Sequence, residues 1–137
     1  MNVLVTDTGF TPDTWTNGFA TLDDPNGPSL DISPGVDLDR VAARLATLRM
    51  IRVHFADFSD GRGFSIARRL RLLGYTGRLR AYGHVLADQY AMARRSGFDE
   101  VEIDAQLAAR QPQEHWLARV DWRDHDYQSR LRGPRAA

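Results

Sequence analysis

Between residues 38 and 104 the chain alternates between two hydrophobic periods, and that alternation constrains its fold more than any motif it carries. In LDRVAARLATLRM, Leu38, Val41, Leu45 and Leu48 recur at three- and four-residue intervals, which predicts a first amphipathic helix. MIRVHFADF then sets apolar Ile51, Val53 and Phe55 against polar Arg52 and His54, the two-residue period of a strand. A second helix is predicted over 63–73, burying Ile66, Ala67, Leu70 and Leu73, leaving Arg68, Arg69 and Arg71 in water and stopping at Gly74. GRLRAYG supplies a strand with Leu79 and Ala81 opposite Arg80 and Tyr82. A third helix over 85–96 carries Leu86, Tyr90 and Ala93 and ends at Gly97, and DEVEID sets Val101 and Ile103 against Glu102 and Asp104.

Strands separated by helices of this length run parallel, which places the chain in the α/β class. Strands buried on both faces read as continuous apolar runs, whereas these alternate. The expected architecture is therefore a set of parallel β/α units resembling part of a (β/α) barrel, with helices mainly on one face of the sheet. Upstream, NVLVTD reads as a strand, and residues 8–30, rich in Gly, Pro, Asn, Asp and Thr, read as loop with at most a strand or two. SPGVD ends in Asp37, a cap for the first helix. Past Asp104 a short helix, a break at Pro112 and another short helix with Trp116, Leu117 and Val120 are expected. Trp15, Trp116 and Trp122 read as core plugs or interface anchors. A length of 137 residues fits one domain, expected over 1–128, with a disordered tail over 129–137.

Composition narrows the chemistry. Eighteen basic and eighteen acidic residues cancel, so no net field draws nucleic acid or an anionic membrane, and neither partner is expected. All the basic residues are arginine, which removes lysine Schiff bases and the P-loop lysine. Cysteine is absent, which removes disulfides, thiol catalysis and cysteine-held metals within the chain. Four histidines, His54, His84, His115 and His125, show no compact ligand spacing, so no metal site is expected. His84 and Asp88 stand four apart, but Asp88 reads better as an acid in the first turn of a helix. With neither a signal peptide nor a membrane-length apolar run, the expected location is the cytoplasm.

Ligands of parallel β/α units gather at the carboxyl ends of the strands, where loops meet helix N-termini. Along that edge fall Asp57, Ser59, Asp60, Gly61, Arg62 and Gly63, then Gly83 and His84, then Asp104. DGRGFS would suit an anion, with glycines admitting close backbone approach and Arg62 offering a planar fork. As a short glycine-containing loop before a helix, it suits better a plain strand-to-helix turn in which Ser59 or Asp60 caps the helix and Arg62 is solvated. Arg52, His54, Arg80, Tyr82, Glu102 and Asp104 project from the helix-free face. There they form either an ion-paired layer under the N-terminal loop, with Arg80 on Glu102, or a polar pocket or docking face for another chain.

FSDGRGFSIARRLR, GYTGRLRAYGHVLADQ and RRSGFDEVEID together resemble a family of small bacterial proteins of unknown function labelled as oxidoreductases of sulfite reduction, encoded beside the sulfite reductase haemoprotein. The likeness covers about residues 51–104 and falls on Asp60, Gly61, Arg62, Gly63, Ser65, Arg80, Asp88, Gln89, Gly97, Phe98 and Asp99. The chain departs from the pattern at Arg78 and His84, where the family often has an acid. The resemblance implies a candidate ligand site at Asp60, Gly61, Arg62, Gly63, Ser65, Arg80, Asp88 and Gln89, with no catalytic residue or cofactor assigned. Multi-electron sulfite reduction needs redox centres for which this chain has no cysteine, haem or dinucleotide signature. An accessory role is therefore expected, binding the reductase system or an anionic ligand. Two alternatives stand beside it: a flavin- or phosphate-ligand-binding enzyme using the DGRG loop, and a homo-oligomeric module, such as a homodimer, burying its polar sheet face.

Overall fold

A computed structural model of the protein describes residues 2–123, so the tail expected over 129–137 lies outside the described residues. Among the described residues six strands, β1 (Asn2–Thr6), β2 (Gly9–Thr11), β3 (Ser29–Ile32), β4 (Met50–Phe55), β5 (Arg78–Gly83) and β6 (Glu100–Asp104), form one open sheet in the order β2-β1-β6-β5-β4-β3. From β3 to β6 neighbours are parallel, as the alternation of periods requires. β1 closes against β6 in antiparallel sense and turns back on itself as β2. The α/β class and the parallel units are as expected, and the sheet stays open rather than curling into a barrel.

Register explains the two unlike faces. Ile32, Val53, Ala81, Val101 and Val5 stand in one row across five strands, and Leu30, Ile51 and Leu79 in the next. Onto this face pack α1 (Leu38–Ala42) through Val41, α2 (Arg62–Leu72) through Ile66, Ala67 and Leu70, α3 (Tyr90–Ser96) through Tyr90 and Ala93, and α5 (Gln113–Leu117) through Trp116. Trp116 is wholly buried, meets Tyr90 edge-on at 6.0 Å and donates its indole N–H to the Gln111 carbonyl. The opposite face carries Asp31, Arg52, Arg80 and Glu100 in one row and His54, Tyr82 and Glu102 in another. α4 (Ala105–Arg110) leaves the end of β6 directly, capped by the Asp104 carboxylate on the Leu107 N–H at 2.7 Å.

Four local expectations change. The third helix, expected over 85–96, is α-helical only from Tyr90, after a 3-10 turn over Ala87–Gln89. The first helix keeps its apolar stripe, but past Ala43 the chain winds more tightly, with Leu45 bonded to Ala42 and Thr47 to Arg44. Leu73 is half exposed because Gly74, at φ +97°, reverses the chain and puts Tyr75 into the core instead, its N–H bonded to the Leu70 carbonyl. Arg71 is not left in water. It donates to the carbonyls of Gly97, Tyr75 and Gly77 and to Asp99, fastening the end of α2 to the turns beyond it. No helix among the described residues is long and apolar enough to cross a membrane.

Candidate functional site

The polar face is a layer of interlocked charges covered by the chain's own loop after β2, through Asp13 and Phe19. Arg80, without solvent exposure, donates from Nε to Glu100 at 2.6 Å and from Nη1 to Glu102 at 2.9 Å, and forks onto both oxygens of Asp13 at 2.9 Å. Arg52 bonds Glu102 at 3.0 Å and Asp31 at 2.5 Å, with its guanidinium between the rings of Phe19 and Tyr82 at 3.9 and 4.2 Å. Asn2 adds a donor to Glu102 at 2.6 Å, and Arg78 one to Glu100 at 2.6 Å. The hydrogen bonds from Arg80 hold the Asp13 carboxyl below its ordinary range. Burial pushes Glu102 upward, but the donors from Asn2 and Arg80 and the charge of Arg52 outweigh it, and the net shift is downward. Of the two readings of this face, the geometry is that of the covered ion-pair layer. Arg80 thus stands among the anion-binding candidates by sequence, while in the fold three carboxylates occupy its fork.

The carboxyl edge of the parallel strands does enclose a pocket, of about 130 Å³. His54 and Tyr82 reach it from the last turns of β4 and β5, their rings 5.4 Å apart. Gly83 makes the bend beyond β5 at φ +114°, where an added Cβ would lie 2.6 Å from the Phe55 carbonyl oxygen. That close approach also lets the His84 N–H bond the same oxygen at 2.8 Å. The His84 ring then stands edge-on to Phe58 at 5.0 Å, and Asp104, Leu107 and Arg110 complete the wall from the start of α4. Asp104 has one oxygen engaged as a helix cap. Arg110 differs from Arg40, Arg52, Arg62, Arg71, Arg78, Arg80, Arg94 and Arg119: each of these faces a carboxylate within 4 Å, and among the described residues Arg110 has no such partner.

The remaining candidates from the sequence do not converge on this pocket. Asp60 accepts the Arg62 backbone N–H at 3.1 Å and both arms of its guanidinium at 2.9 Å, so Arg62 is already paired, and its Asp60 partner sits lower than an ordinary carboxyl because of those bonds. Gly63 is the seat of α2 on β4, since a Cβ there would come within 2.3 Å of the Phe55 ring. Gly61 and Ser65 line a separate groove between α2 and α3. Asp88 is paired with Arg119 at 2.5 Å. Gln89 does serve the edge, donating to the Phe58 carbonyl and accepting from the Leu86 N–H at 2.9 Å each, which ties the loops after β4 and β5 together. Gly97 at φ +116° reverses the chain after α3, Phe98 is buried beside Phe55, and Asp99 accepts from Arg71 and from the Leu79 N–H.

Gly83, His84 and Asp104 at the rim, and His54 and Tyr82 on the face, are legible from strand alternation. Phe58, Leu107 and Arg110 carry no such mark. The signal for the last two is the spacing Asp104, Leu107, Arg110, three apart along a helix that begins at the rim, which puts them on one side of α4. Among the described residues no group of three or more His, Asp and Glu side chains is arranged to hold a metal ion. No curated protein matches the chain. A model of a family of bacterial proteins of unknown function (DUF934) matches residues 29–137, which include every strand and helix of the pocket, and the chain belongs to that family.

Proposed function

We propose that the protein binds a small oxyanion in the pocket at the ends of β4, β5 and β6, and serves assimilatory sulfite reduction as an accessory rather than as its catalyst. Arg110 carries the reading, a guanidinium without a carboxylate partner among the described residues, at the wall of a pocket that also offers two imidazoles, a phenol and the Asp104 carboxylate, one oxygen of which already accepts from the Leu107 N–H. Such a set supplies donors in excess of acceptors, which suits an anion. The small volume suits a group of sulfite or sulfate size and falls well below the cavities that enclose larger cofactors. The pathway comes from the resemblance of the DGRG, LRA, DQ and GFD segments, which also supplies the partner to test, the sulfite reductase haemoprotein.

Calorimetric titration of sulfite, sulfate and phosphate into the protein and its Arg110→Gln variant is the direct test. Binding of sulfite or sulfate that weakens about tenfold or more in the variant is expected, the loss of one charge-assisted contact. Equal affinity in the variant, or no heat with the parent, overturns the pocket. The pathway is tested apart from it, by growth on sulfate and on cysteine of a strain lacking the gene and by co-purification with the haemoprotein. Undiminished growth on sulfate together with no association removes the accessory role.

A further inference from the structure

A second concavity, on the opposite side of the sheet from the charged layer, has a different chemistry. It runs between α2 and α3 with a volume of about 400 Å³. Its α2 wall extends from Gly61 past Phe64 and Ser65 to Leu72, the spacing of one helical edge over three turns, or about 16 Å. Met92 and Ser96, one turn apart on α3, form the other wall. Leu72 is 81% exposed and Met92 43%, and they are two of the four large apolar side chains that the described residues leave in water. Arg68 and Arg69 stand on the rim, no Asp or Glu lines the groove, and neither arginine has a carboxylate partner among the described residues.

An independent observation comes from Ser96. It is 2% exposed, it borders the groove, and its Oγ has no hydrogen-bond partner. A serine in a helix ordinarily bonds a carbonyl one turn back or faces water. A buried hydroxyl that does neither carries a desolvation cost that an occupant with a polar group would relieve.

The geometry points to a docking groove for an acidic amphipathic helix of a partner protein, its apolar stripe on Phe64, Leu72 and Met92 and its carboxylates on Arg68 and Arg69. Length favours a polypeptide, because the groove follows α2 for three turns and ends on a leucine that projects beyond it. Charge selects among polypeptides. Residues 124–137 of this chain contain three arginines and two aspartates, so their sign matches the rim. A two-fold contact of the groove with itself would set guanidinium against guanidinium. Nothing in this inference depends on the oxyanion pocket.

The test uses a labelled synthetic three-turn peptide with leucine at alternating three- and four-residue intervals and glutamate elsewhere, beside a counterpart with lysine for glutamate. Fluorescence anisotropy is read with the full chain, with Leu72→Asp, with Arg68→Glu combined with Arg69→Glu, and with Arg110→Gln. Binding of the acidic peptide alone is expected, weakened tenfold or more by the first two variants and unchanged by Arg110→Gln, with far-ultraviolet dichroism confirming that each variant is folded. Absence of binding, equal binding of the lysine peptide, or indifference to Leu72→Asp overturns it. Sedimentation velocity addresses the other occupants. A dimer that Leu72→Asp dissociates, or a chain ending at Arg123 that binds the peptide when the full chain does not, also overturns it.

Discussion

Arg80 places a full positive charge where no water reaches it, and the surrounding carboxylates make that tolerable. Truncating it would leave Asp13, Glu100 and Glu102 facing one another, so Arg80→Ala is expected to lower the unfolding free energy by about 3–5 kcal/mol, measured by urea denaturation. A loss under about 1 kcal/mol would show that the layer is looser than its geometry. The same carboxylates set the response to acid. Asp13 and Glu102 have folded values below their ordinary 3.8 and 4.5, so their stabilisation is complete above that range and is lost as pH falls through the depressed folded values. Stability should therefore begin to decline below about pH 4.5, and Asp13→Asn should make that decline shallower, which a series of urea melts between pH 3 and 7 would read. A slope unchanged in Asp13→Asn would mean that the carboxylate adds nothing to the layer.

At the scale of elements, α2 sits on β4 because Gly63 has no side chain. Gly63→Ala puts a methyl carbon 2.3 Å from the Phe55 ring, an overpacking that should cost about 1–3 kcal/mol in a thermal or urea melt. Phe55 also lies at the root of the pocket through its carbonyl, so the variant should weaken anion binding as well; unaltered affinity would show that helix seat and pocket are independent. Periodicity made these elements legible, since Ile51, Val53 and Phe55 against Arg52 and His54 dictate both a strand and its two faces. What it cannot state is which distant segment covers a face. Asp13 reaches Arg80 across 67 positions and Phe19 stacks on Arg52, contacts with no local signature. The DGRG motif is ambiguous for a related reason. A glycine-rich loop before a helix has the same composition whether it holds a ligand or only turns the chain, and here Asp60 already holds Arg62.

For the molecule as a whole, the family match begins at Ser29, whereas β1, β2 and the roof over the charged face come earlier in the chain. A chain starting at Ser29 keeps every parallel strand yet exposes the β6 edge and uncovers Arg80. It should associate through that edge and lose its cooperative melt, as read by size-exclusion chromatography and circular dichroism. A monomer with the parent's midpoint would mean the first 28 residues are dispensable. The pairing of Asn2 with Asp104 also bears on how the protein is born. β1 leaves the ribosome well ahead of its partner β6, which at roughly 5–20 residues per second emerges about 5–20 s later. Until then an apolar strand and an acceptor edge travel unprotected, and nascent-chain chaperones have that interval in which to act.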